Sequence, residues 1–180
     1  MSIYTLDRPD FAPIVINYPS RPLYGGESIV IEIDSGSVSV AAGSEENLIS
    51  VTGAGKFVNA LIMFKPDTSL ANTMSLVVRI YLDGSRRVNL TLNEIEAWIG
   101  HNLYNKLAGA TATDYYYPDW INPIITPIMG HYDSTNDVID SYYLMLNFVM
   151  EFTESFTLAV YNPLTTDIVA SCKALVGYYP

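Results

Sequence analysis

Apolar and polar side chains alternate over most of this chain, the period expected of strands with one buried face. Residues 28–33 are rich in β-branched side chains, and residues 37–41 alternate serine with valine between Gly36 and Gly43. Residues 47–52 form a further strand, ended by Gly53 and Gly55. Residues 56–65 and 74–82 are longer apolar runs, the second closed by Asp83-Gly84, a pair suited to a tight turn with positive φ. Residues 87–92 read as its hairpin partner, and strands return at 142–152, 156–161 and 167–179.

One stretch follows the helical period instead. Ile95, Trp98, Ile99 and Leu103 fall on one face, with Asn93 as the expected N-cap and Glu96 as its capping partner. At the other extreme, Pro9, Pro13, Pro19 and Pro22 deny residues 1–26 regular pairing, so these residues read as an extended arm. Residues 27–180 then form one domain, with 105–141 as a long irregular insertion. Eight or nine strands with little room for parallel crossovers predict an all-β, antiparallel sandwich of single jelly-roll type with one short inserted helix.

The segment Gly53-Ala54-Gly55-Lys56-Phe57, the run Arg79-Ile80-Tyr81-Leu82-Asp83-Gly84 and the acidic Glu94 that follows resemble a known jelly-roll family. That family holds the trimeric glycoside hydrolases of fructose and arabinose linkages, whose architecture is similar to that of viral capsid jelly rolls. Leu146-Asn147-Phe148 and residues 156–162 are similar in placement to its later strands. Leu82 stands where the family has tryptophan and Asn147 where it has proline, and neither catalytic carboxylate maps onto a position here. The resemblance implies the fold and leaves open both a virion and a sugar-active role.

Composition narrows the choice. Only 16% of the residues are charged, against a usual share of about 25%. Fourteen tyrosines take up some of the difference; such a surface is either covered by neighbours or has Tyr, Thr, Ser and Asn in place of charges on its β faces. The net charge is −10, and Arg86-Arg87 is the one adjacent basic pair, so direct nucleic-acid binding is not expected. No apolar run has the length of a membrane span, and Met1 to Asp10 lacks the apolar core of a signal peptide. The single Cys172 lies in an apolar run and reads as a core residue.

The search for chemistry yields little. Glu94, Glu96, Glu151 and Glu154 are the candidate carboxylates for glycoside cleavage, each with a structural reading as cap or turn residue. His101, His131, Asp133 and Asp137 offer oxygen and nitrogen donors without zinc or EF-hand spacing. No catalytic, cofactor-binding or metal-binding residue is therefore assigned, and no cofactor is expected. Tyr115, Tyr116, Tyr117 and Trp120 are the candidate interface residues, since aromatic rings give large contact area at low entropic cost.

These features predict a virion structural protein (capsid, turret, spike or decoration subunit). It would self-associate as a trimer or larger homo-oligomer, contact other virion proteins and assemble in the host cytoplasm. The alternative is a glycoside hydrolase or carbohydrate-binding subunit.

Overall fold

The computed structural model describes residues 29–98, 124–133 and 135–179. Among these residues ten strands and two short helices follow in the order β1 (Ile29–Val40), β2 (Glu45–Thr52), β3 (Gly55–Lys65), α1 (Leu70–Ser75), β4 (Val77–Leu82), β5 (Ser85–Thr91), α2 (Leu92–Trp98), β6 (Ile125–Asp133), β7 (Val138–Leu146), β8 (Met150–Phe152), β9 (Ser155–Tyr161) and β10 (Ile168–Tyr178).

The strands form two sheets. The larger has the order β1-β10-β3-β7-β6, with β8 continuing β7 alongside β3, and the smaller has the order β2-β9-β4-β5. Every ladder among the described residues is antiparallel. The pairing is nested: β1 with β10, β2 with β9, β3 with β8. A long hairpin folded over on itself gives this wrapping, the jelly-roll pattern.

Alternation then does the packing. On β10, Ala170, Cys172, Ala174 and Val176 point inward and are buried, while Lys173 points out. Phe57 of the larger sheet stacks on Phe156 of the smaller at 4.8 Å between ring centroids and 11° between planes. Phe152 tilts against Phe156 at 5.8 Å. Phe64 and Tyr142 meet at 6.3 Å further along the core. Aromatic contacts of this kind add to the burial that holds two sheets together.

Several elements differ from the sequence expectation. Residues 28–33 and 37–41 are one bulged strand, because Gly36 takes φ 63° and lets β1 resume pairing after Ser35-Gly36. The run 74–82 is not all strand: helix α1 ends at Ser75. Ser69 caps it, its side chain accepting from the Asn72 N–H, while Leu70 and Met74 are buried. The second helix starts two residues earlier than expected. Its N-cap is Thr91, not Asn93, and its capping partner is Glu94, not Glu96. The Thr91 N–H donates to Glu94 Oε2 at 2.8 Å and the Glu94 N–H to Thr91 Oγ1 at 3.0 Å. Trp98, expected on the buried face of this helix, is 68% exposed.

The last part of the stretch read as irregular is strand: β6 occupies 125–133, and β7 starts at Val138. Pro127 is tolerated because β6 is the outermost strand of its sheet. The long strand expected over 142–152 is β7 and β8. Between them the register against β3 shifts by one residue, from Ala60↔Leu146 to Phe57↔Met150. The arm at 1–26 and the core of the insertion lie outside the described residues.

Candidate interaction surface

The strands run between two ends of the sandwich, and a different side chain holds each. At one end lie the β2–β3, β4–β5 and β8–β9 turns. Asp83 sits in the β4–β5 turn at φ 51°, next to Gly84 at φ 72°, the left-handed pair of a type I′ hairpin. Its carboxylate accepts from the backbone N–H groups of Thr153, Glu154 and Ser155 at 2.9, 2.7 and 3.1 Å, and from Thr153 Oγ1 at 3.0 Å. The N–H bonds from Glu154 and Ser155 contribute most to holding its pKa down to about 2. The Gly53 N–H donates to the Glu154 carbonyl at 2.7 Å, so all three turns are tied together. Gly55 is required here: a Cβ would stand 2.4 Å from the Gly177 carbonyl oxygen and 2.7 Å from the Phe152 ring.

At the opposite end Asn162 is fully buried. Its Nδ2 donates to the carbonyls of Val40 (3.0 Å) and Thr166 (2.8 Å), and its Oδ1 accepts from the Leu164 N–H at 3.0 Å. Its own N–H donates to the Ser44 carbonyl at 2.9 Å. The β1–β2 and β9–β10 connections are thereby joined through one amide. Beside it the Ala42 N–H donates to Asp167 Oδ1 at 3.0 Å.

The two outward faces differ in character. On the smaller sheet Arg79 ion-pairs with Glu45, donates from Nε to Asn89 Oδ1 at 2.8 Å and lies 4.4 Å over the Tyr161 ring. Tyr81 donates to Glu45 Oε1 at 2.8 Å; desolvation and then that carboxylate raise its pKa. These polar groups satisfy one another. An open depression of ≈ 330 Å³ lies beside them, lined in part by Asn47, Ser155 and Thr157.

The larger sheet is different. Leu61 pairs with Met145 and Met63 with Tyr143 across β3 and β7, all four half-exposed on the outward face. They form an apolar strip where an isolated sandwich carries polar side chains. An open depression of ≈ 310 Å³ lies along it, bordered by Ser171, Lys173 and the β1 bulge. Lys173 reaches Asp34 at 3.3 Å and Glu32 at 3.9 Å, exposed pairs that contribute little to stability. Asp34 is held below the ordinary carboxyl range by the Gly36 N–H and then by Lys173.

The residues singled out in the sequence fall apart spatially. Tyr115, Tyr116, Tyr117, Trp120 and His101 lie outside the described residues, as does the side chain of His131. Glu94 is committed to the helix cap, and the Thr91 N–H, then its hydroxyl, lower its pKa. Glu96 is 3% exposed and accepts from the Tyr142 hydroxyl at 2.8 Å, which ties α2 to the larger sheet. Burial, then Glu96, push the Tyr142 pKa well above its ordinary value. Glu151 and Glu154 lie at the Asp83 end, whereas Glu94 lies at the Asn162 end. Asp133 accepts from Thr135 N–H and Asn136 Nδ2 in the β6–β7 turn, and Asp137 accepts from Tyr132. Among the described residues no three His, Cys, Asp or Glu side chains group closely enough to hold a metal ion. Cys172 is buried, and that burial pushes its thiol to about 12, far from a thiolate nucleophile. No described helix is long and apolar enough to cross a membrane.

No protein-family model and no curated protein matches the sequence. Solved structures of infectious bursal disease virus proteins do match. The VP2 subviral particle aligns at 13% identity and a TM-score of 0.27 over 100% of this chain and 47% of that one. The Gt strain structure aligns at 14% and 0.26 over 98% and 45%. The derived T=1 particles align at 14% and 0.25 over 96% and 46%. The chain thus spans about half the length of these structures. Such scores lie below the level at which two chains share a fold, so the reading of this chain rests on its own residues.

Proposed function

We propose that the chain is a structural subunit of a virus particle, joined to copies of itself and to other particle proteins. The observation that carries this reading is the apolar strip of Leu61, Met63, Tyr143 and Met145 on the outward face of the larger sheet. Apolar side chains there cost solubility in a lone protein and are stabilised when a neighbour covers them. The nested jelly roll supports the reading, since that architecture recurs in viral capsid domains. The low share of charged residues points the same way. The chain then acts by contact: its polar side chains at both ends serve as clamps that hold the sandwich rigid.

Light scattering coupled to size-exclusion chromatography, run at several protein concentrations, tests this. The expected result is a mass that rises with concentration in multiples of the subunit. A mass fixed at one subunit at every concentration, with other particle proteins added, overturns it.

A further inference from the structure

Strand β1 lies at the rim of the larger sheet. Among the described residues it pairs with β10 on one side and with no strand on the other. A free edge presents a row of backbone N–H and C=O groups to any strand that can reach it. Residues 29–34 run in continuous register before the bulge at Ser35-Gly36.

On this stretch one apolar side chain is left in water. Ile31 stands opposite Val176 in the ladder, so the two share a face, and Val176 is fully buried in the core. Ile33 shares that face opposite the buried Ala174 and packs partly against the core. Ile31 is nonetheless 38% exposed. The outward face of the same stretch carries Glu32 and Asp34, both beside Lys173.

Those charges select a register. Two copies of the edge can pair antiparallel about a two-fold axis through one residue, which keeps like faces together. An axis through Glu32 or Ile33 sets carboxylates directly opposite one another, and like charges there repel. An axis through Ile31 sets Glu32 against Val30 and brings the two Ile31 side chains together.

We infer that copies of this chain join edge to edge through residues 29–34, antiparallel about a two-fold axis at Ile31, so that one sheet runs through both. The occupant is a second copy because the edge complements itself: the carboxylates do not face each other, and each exposed Ile31 covers the other. A pairing this short is marginal alone, so it forms where the apolar strip already gathers copies and raises their local concentration. It thus rests on the self-association proposed above and names a second contact on a different surface.

Oxidative cross-linking of the full chain tests it, with Ile31→Cys and Ser39→Cys variants. Cys172, the one native cysteine, is buried, so each variant carries a single exposed thiol. Directly opposed residues of an antiparallel pair lie about 4.5–5.5 Å apart at Cα, within reach of a disulfide. Ser39 is exposed on the same strand beyond the bulge, away from the inferred axis. On non-reducing gels Ile31→Cys is expected to form a covalent dimer about ten-fold faster than Ser39→Cys. Ile31→Lys sets two cations opposite each other and is expected to weaken association about ten-fold in sedimentation velocity. Far-UV circular dichroism confirms that the variants fold. Equal cross-linking of the two thiols, with Ile31→Lys associating as the wild type does, overturns the edge contact and leaves self-association standing. A wild type that never associates overturns both.

Discussion

The two ends of the sandwich solve one problem with different chemistry. Each must hold together turns that are far apart in sequence. The Asp83 end uses a partly exposed, ionised carboxylate that gathers three backbone N–H groups. The Asn162 end uses a buried neutral amide that both donates and accepts. Residues 83 and 153–155 are joined by the first, and Val40, Ser44 and Thr166 by the second. A carboxylate accepts only, so it suits a place where N–H groups converge. An amide suits a place where carbonyls and an N–H converge out of water. The first device depends on pH and the second does not.

That contrast can be broken at several points. Asn162→Ala is expected to be the most damaging, leaving two carbonyls and an N–H unpaired in the interior. A loss of about 3 kcal/mol, or a fall of about 6–12 °C in Tm, is expected in a thermal melt and should not change with pH. Tyr142→Phe removes the bond to Glu96 that ties α2 down. Denaturant unfolding is expected to show a loss of about 1–2 kcal/mol.

Asp83→Asn is expected to lower Tm at pH 7 by less than Asn162→Ala does. Its effect should vanish in acid. The Asp83 carboxyl, ordinarily at 3.8, titrates at about 2 in the folded chain. A depressed folded pKa stabilises fully above about pH 4, and that stability is lost as pH falls through about 2. Melting curves of wild type and Asp83→Asn should therefore converge across that window. Thr153→Val, which removes one exposed bond to the same carboxylate, is expected to shift Tm by only about 1–2 °C.

The sandwich was legible because period-2 alternation follows directly from a strand having one face in the core. The residues 37–41 and 156–161 announce it plainly. The Asp83-Gly84 turn was legible too, since few pairs tolerate two left-handed residues. Helix α1 was obscured because only Ser75 separates its apolar Met74 from the apolar run Leu76-Val77-Val78 that opens β4. The signals that mark it are Ser69 as cap and the spacing of Leu70 to Met74. Thr91 was missed as the cap because Asn93 competes for the same role two residues on. The sequence Thr91-Leu92-Asn93-Glu94 carries the full capping box, and that signal decides between them.

The surface was less legible than the core. Leu61 and Met63 look like core residues in a run that is apolar on both faces, and only the pairing of β3 with β7 places them outward beside Tyr143 and Met145. Bulges are hidden for the same reason: a one-residue slip between partners leaves no mark on either strand alone. Asn162 reads in sequence as an ordinary turn residue before Pro163. Its burial depends on two connections brought together from opposite parts of the chain.

The outward strip is the point on which the functional account stands. A Met63→Glu/Tyr143→Glu double variant places two charges in its centre while leaving the inward faces of β3 and β7 untouched. Light scattering against concentration, with the melting temperature measured alongside, reads the outcome. The account predicts a variant that melts near the wild type yet stays a single subunit where the wild type assembles. A variant that assembles as the wild type does would contradict it.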